Sequence, residues 1–294
     1  MEPSRNKSKV FFSKILSPEK LAELSKLLSQ DFNPGKVGIK IDMNTNNEKN
    51  NINPVFFRQI VDYFQGTVID DNSLYISLEK NIKEFSKYFE TEILDINPPD
   101  DEIEIPNGKI LKKTYVGQNL KKYDSFIIIS NLYNSKGFGI GSISELSLGL
   151  SSKKGKTLQI TGGISEDFSE IKNKKCESKI FQEASAEVAF ANYNFIKKNV
   201  IFINLLGKID TDNKENIGIL ASIDPVAIDQ ASLDLVYNYK NNDLIKKIEE
   251  LDEKYLINCS EKIGLGKKNY YQIFMLLMLI MHCFSSYIFF ILIR

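Results

Sequence analysis

The sequence predicts an α/β fold, built on a mostly parallel or mixed sheet with flanking helices. Three observations carry that expectation. Phe126–Ile129 is four apolar residues in a row, the pattern of a strand buried on both faces. Val37–Ile41, a helix through Phe57, Val61 and Phe64, and Thr67–Ile69 make a strand–helix–strand unit, which pairs its strands in parallel. Ile217–Ser222 alternates like a buried strand and runs through Asp224-Pro225 into a helix with Ala227, Ala231 and Leu235 on one face.

In chain order, Ser17-Pro18 caps a helix whose inner face carries Leu21, Leu24, Leu27 and Leu28. Asn33-Pro34-Gly35 is a turn into the first strand. Residues 42–52 form a polar, Asn-rich insertion expected on the surface. Asn53-Pro54 starts the crossover helix, and Gly66 is expected to close it. A helix follows over Ser77–Phe89, then an irregular acidic connection, then Ile110–Val116. After the buried strand, Gly137, Gly139 and Gly141 punctuate a loop leading into a helix over Ile143–Leu150. Thr157–Ile160 reads as a further strand, with Gly162-Gly163 as a turn. Phe181–Lys198 is the clearest amphipathic helix, with Ala184, Val188, Ala191 and Phe195 at helical spacing. Val200–Leu205 is a strand, and Leu244–Leu251 a helix. Residues 1–272 are expected to form one α/β domain.

Composition removes several classes of chemistry. The 294 residues hold 38 Lys+Arg against 38 Asp+Glu, so no net field favours nucleic acid, and no nucleic-acid partner is expected. Arg occurs only at Arg5, Arg58 and Arg294, which weighs against bidentate phosphate grips. Cys176, Cys259 and Cys283 are widely spaced and the single His is His282, so no local zinc or iron–sulfur motif exists and no metal site is expected. With no His in the body, no Ser or Cys nucleophile can be given a His base, and no catalytic residue is assigned.

The candidate binding residues are therefore Gly137, Gly139, Gly141, Lys40 and Asp229. Strand, Gly-x-Gly-x-Gly, helix can aim backbone N–H groups at an anion, though the spacing is not that of a dinucleotide loop and glycines needed for turns or close packing are the plainer reading. Lys40 ends a strand and, with Lys153, Lys154 and Lys156, could add positive charge or simply be solvated. Asp224 fits an N-cap. Asp229 is either a solvated helix residue or a pocket carboxylate.

The order of these pieces resembles the family of proteins carrying domain of unknown function 362, often described as iron–sulfur-centre or ferredoxin-like proteins. The resemblance runs from about Val10 to Tyr271 and rests on GIKI at Gly38–Ile41, VGQNLKKYDSFIIIS at Val116–Ser130, GFG at Gly137–Gly139, LSLGLSSKKGK at Leu146–Lys156, IGILASIDPVAIDQASLDLVYN at Ile217–Asn238 and IGLG at Ile263–Gly266. It implies an α/β fold, a cytoplasmic prokaryotic setting and an iron–sulfur cluster as the family's cofactor. The departures concern reactive side chains. The family's KLH-like segment is Lys40-Ile41-Asp42 here, and its SHFKGH-like segment is Ser130–Ser135, SNLYNS. Its Lys-Asn pair is replaced by Ser144-Glu145, its Cys-bearing segment by KIDTDNKEN, and a further His is absent from LQITGG. Glycines, strands and the Asp-Pro helix remain. The chain is thus expected to be a degenerate member without cluster or His-dependent catalysis, either vestigial or binding a small molecule or protein. The alternative is an active member with redox or isomerase-like chemistry using an iron–sulfur cluster or another cofactor.

Ile273–Ile293 is almost wholly apolar and flanked by Lys267-Lys268 and Arg294. It is long enough to span a bilayer as a helix. It reads either as a C-terminal membrane anchor or as an out-of-frame extension; any membrane association is expected only through it, the body being cytoplasmic.

Overall fold

The computed structural model describes residues 7–41, 53–70, 78–94, 100–132, 141–207 and 216–275. The polar insertion 42–52, Gly137, Gly139 and the apolar tail from residue 276 lie outside the described residues.

The strands are β1 (Ser8–Ser13), β2 (Val37–Ile41), β3 (Thr67–Asp70), β4 (Thr91–Ile93), β5 (Asp101–Glu104), β6 (Lys113–Val116), β7 (Ser125–Asn131), β8 (Val200–Leu206), β9 (Gly218–Ser222) and β10 (Tyr270–Phe274). The helices are α1 (Pro18–Leu28), α2 (Arg58–Phe64), α3 (Leu78–Phe85), α4 (Gly141–Ser147), α5 (Lys153–Thr161), α6 (Ile171–Lys174), α7 (Ser178–Phe195), α8 (Pro225–Asn238), α9 (Asn242–Glu250) and α10 (Glu253–Lys262). An eight-stranded sheet has the order β10-β1-β9-β8-β7-β2-β3-β4, and β5-β6 forms a separate antiparallel hairpin. Only β9 runs against its neighbours in the large sheet; β2 pairs in parallel with both β3 and β7. The sheet is mixed, and the strand–helix–strand unit is in place.

Alternation divides the core. Phe126 and Ile128 of β7 join the layer of α4, α8 and α10, while Ile127 and Ile129 join the layer of α1 and α2. In β8, Phe202 goes one way and Ile201 and Ile203 the other. Each such side chain, fully removed from water, contributes about 1.5–3 kcal/mol. From β2 the chain goes on to β3 and β4 on one side, and from β7 to β8 and β9 on the other. The carboxyl ends of β2 and β7 therefore flank the point where the strand order reverses, where open α/β sheets form their crevice.

Several expectations need correction. Residues 157–160 are not a strand: they lie in α5, capped by the Ser152 side chain and ended by Gly162 at φ +62°. The β-branched Thr157 and Thr161 tolerate the helix because their hydroxyls donate to the carbonyls of Lys153 and Thr157, 2.8 Å each. The left-handed residue ending α2 is Gln65, not Gly66. Gly66 is needed instead for close packing, since a Cβ there would stand 2.6 Å from Ile39 Cδ1. The sequence gives no strand at β1, β4 or β5, although β1 links β9 to β10. Ile273 and Phe274, grouped by hydropathy with the tail, belong to β10 and pair with Phe11 and Phe12. Among the described residues, no helix is long and apolar enough to cross a membrane.

Candidate functional site

Two polar assemblies meet at α4, beside the carboxyl ends of β2, β7 and β8. The first is built on Lys40. This side chain is not solvated, as a strand-end lysine would ordinarily be; the residue is only 1% exposed. Its Nζ lies 2.7 Å from Asp70 Oδ1 at the end of β3 and 3.2 Å from Glu145 Oε2 on α4. Asp70 is as buried as Lys40, and Glu145 is 16% exposed at its side chain. The neighbouring strand, the central strand and the helix above it are thereby joined through one ammonium.

The second assembly is built on Asp229. Its position on α8 turns the side chain inward, so it is not a solvated helix residue; it is 3% exposed. Its Oδ1 accepts from Ser142 N at 2.8 Å and Asn204 Nδ2 at 2.7 Å, and its Oδ2 accepts from Ile143 N at 2.8 Å. Asn204 uses all four of its hydrogen-bonding positions. Its Oδ1 accepts from Ser130 Oγ (2.6 Å) and Ser142 Oγ (2.8 Å), and its Nδ2 donates to Asp229 and to Ser232 Oγ (2.9 Å). Burial pushes the Asp229 carboxyl up to about 7, against the lowering effect of these hydrogen bonds.

Of the sequence candidates, Asp229 and Gly141 meet directly. Gly141 has φ +87°, and a Cβ on it would stand 2.6 Å from Asp229 Oδ1. Of the loop's glycines only Gly141 is described, and the two amides that follow it, of Ser142 and Ile143, donate to Asp229. The chain's own carboxylate thus occupies these two amides near the start of α4, where a buried helix terminus needs acceptors for its free N–H groups. Lys40 is brought to the same helix through Glu145. Lys153 and Lys154 go elsewhere: Lys153 lies over the Phe168 ring, and Lys154 pairs with Glu166 at 2.8 Å and covers the Tyr115 ring. Lys156, expected in solvent, is 4% exposed. Asp224 is the N-cap of α8, its Oδ1 accepting from Val226 N and Ala227 N, while its Oδ2 accepts from Ser8 Oγ and Lys267 N.

Sequence reasoning missed Asp70, Glu145 and Asn204 as partners. Asp70 had a signal: it is a carboxylate at the end of an apolar strand, as Asp224 is. Asn204 had one too, as the lone amide inside the apolar run VIFINLL. Glu145 stood out only as a departure from the family pattern.

The donor set does not fit a four-cysteine cluster. The chain has three Cys in all; Cys176 lies just before α7 and Cys259 on α10, and among the described residues no group of three or more His, Cys, Asp or Glu could hold a metal ion. A comparison with curated proteins finds no match. The family model for domain of unknown function DUF362 matches residues 37–234, more than half of the chain and every residue of both polar assemblies, from Lys40 to Ser232. The chain belongs to the DUF362 family.

Proposed function

We propose that this member binds a small polar molecule at the carboxyl edge of the sheet, between β2 and β7, and does so without an iron–sulfur cluster or histidine chemistry. The observation that carries the reading is the buried Lys40–Asp70–Glu145 group beside the strand-order reversal. Apolar residues of similar volume would hold three elements together at no greater cost, since desolvating charges offsets their attraction. Charged side chains kept in the crevice of an α/β sheet therefore favour a role in recognition. An anion seated on the amides of α4 is disfavoured, because Asp229 already accepts from Ser142 and Ile143.

The test is a thermal-shift and calorimetric screen of the full-length protein against amino acids, amines, small acids and nucleotides, with iron analysis of the same samples. A ligand that raises Tm in the native protein and loses its effect in Glu145→Gln, the most exposed member of the group, supports the reading. A ligand effect indifferent to Glu145→Gln, or stoichiometric iron with a visible cluster band, overturns it.

A further inference from the structure

The face of α7 from Glu183 to Phe195 carries a second feature, distinct from the Lys40 group. A cavity of about 660 Å³ lies between α7, α10 and the turn after β5. That volume is within the range of small-molecule sites. Its walls are mostly apolar, with Ile103, Ile105, Ala186, Phe190, Phe195 and Ile263 among them.

The walls are fixed in advance. Glu187 on α7 reaches the turn and accepts from the amides of Lys109, Ile110 and Leu111. Glu183, one turn earlier, accepts from the Tyr255 hydroxyl of α10. The side-chain amide of Gln182 donates to the Leu251 carbonyl in the segment leading to α10. Both boundaries of the cavity are thus tied to one helix, and a ligand would not have to order them.

The same bonds decide the class of ligand. Three carboxylates, of Glu104, Glu183 and Glu187, line the space against two ammonium groups, of Lys109 and Lys262, which disfavours an anion. Glu183 and Glu187 already have their donors, so a buried cation would compete with bonds that hold the walls. Apart from the exposed Glu104, Lys109 and Lys262, what remains is mostly apolar surface, with exposed Asn194 and Asn258 at the rims of α7 and α10, Asn258 Oδ1 accepting from Lys268 Nζ at 2.7 Å. We infer that this cavity binds an uncharged, lipophilic small molecule whose single polar end lies at the Asn194 and Asn258 rim.

Cys259 lines the cavity and Cys176 does not, which gives a local readout. The experiment titrates the full-length protein with Nile red, an uncharged probe, and with the anionic anilinonaphthalene sulfonate, then repeats both on Asn194→Trp. Position 194 is exposed, so the indole fills the rim without entering the core, and circular dichroism checks that the fold is kept. Expected are saturable Nile red binding that is lost in Asn194→Trp, weaker binding of the anionic probe, and alkylation of Cys259 slowed several-fold by Nile red while Cys176 reacts at its former rate. Absence of saturable binding, binding unchanged in a folded Asn194→Trp, an anionic probe bound as tightly as the neutral one, or Cys259 left unprotected would each overturn the inference.

Discussion

Asp229 and Ser142 are joined by a 2.8 Å hydrogen bond from the Ser142 amide to the Asp229 carboxylate, across 87 residues of chain. The bond makes α8 the cap of α4, and with the Ile143 amide it places a carboxylate at the N-terminus of that helix. Removing it should be costly. Asp229→Ala leaves the amides of Ser142 and Ile143 and the Asn204 side chain short of an acceptor in a buried site, with a loss of about 1–3 kcal/mol for each donor left unsatisfied. Asp229→Asn keeps one acceptor oxygen and should lose less. Urea unfolding followed by circular dichroism gives both values, and equal midpoints for native protein and Asp229→Ala would refute the capping role.

The same carboxylate sets a pH dependence. Its pKa rises from an unfolded value near 3.8 to about 7 because it is buried. The folded state therefore holds this proton more tightly than the unfolded chain between those values. Where the native state binds more protons, stability falls as pH rises, so this group should lower stability from about pH 4 to pH 7, by up to about 1.4 kcal/mol per pH unit. Asp229→Asn lacks that titration. Its deficit relative to the native protein should shrink as pH rises through the window; a deficit that grows instead would contradict the assigned direction.

Gly141 and Gly264 offer a controlled pair. Both have positive φ, +87° and +83°, but a Cβ on Gly141 would stand 2.6 Å from Asp229 Oδ1, whereas Gly264 has nothing within 4 Å. Gly264→Ala should cost only the left-handed strain of about 1–2 kcal/mol. Gly141→Ala should cost clearly more, because the cap must move as well. Thermal melts of the two variants, taken side by side, separate strain from close approach; equal losses would show that the Asp229 contact adds nothing.

These relationships explain what could be read from the residues. The strand–Asp-Pro–helix unit, the parallel pairing of β2 with β3 and the two-faced burial of β7 follow from local periodicity, which is a property of neighbouring residues. The partners of Lys40 and Asp229 are set by which strand ends lie side by side, and no local pattern encodes that. Type alone left Lys40 and Asp229 open between solvent and pocket, since charged residues are solvated unless the fold supplies counter-charges or donors, as Asp70 and the α4 amides do here. At Thr157–Ile160 the expected strand is a helix, favoured by capping by Ser152 and side-chain bonds to the preceding turn.

Lys40 predicts a second stability loss, independent of Asp229. Lys40→Met removes the ammonium and leaves the Asp70 and Glu145 carboxylates without it in a buried site, with an expected cost of about 3–5 kcal/mol. Glu145→Gln should cost less, since its distance is longer, at 3.2 Å, and its side chain is partly exposed. Denaturant midpoints measured for both variants should keep that order; a Lys40→Met protein as stable as the native one would mean the ion pair contributes nothing net.

Glu187 predicts a local rather than a global effect. Its carboxylate holds three successive amides, of Lys109, Ile110 and Leu111, and so fastens the turn of the β5–β6 hairpin to α7. Hydrogen bonds to a charged acceptor are worth about 1.5–3 kcal/mol when the site is buried. The hairpin is a separate two-stranded sheet, so much of that loss should appear as opening of the turn while the large sheet stays intact. Lys109, Lys112 and Lys113 are then exposed to trypsin. In Glu187→Ala the first cleavage should fall at these lysines and run many times faster than in the native protein, and Glu187→Gln should lie between. Hydrogen exchange should lose protection at Leu111 N and keep it at the amides of β7 and β8. Cleavage at an unchanged rate, or protection lost equally in β7, would show that the carboxylate is not what fastens the turn.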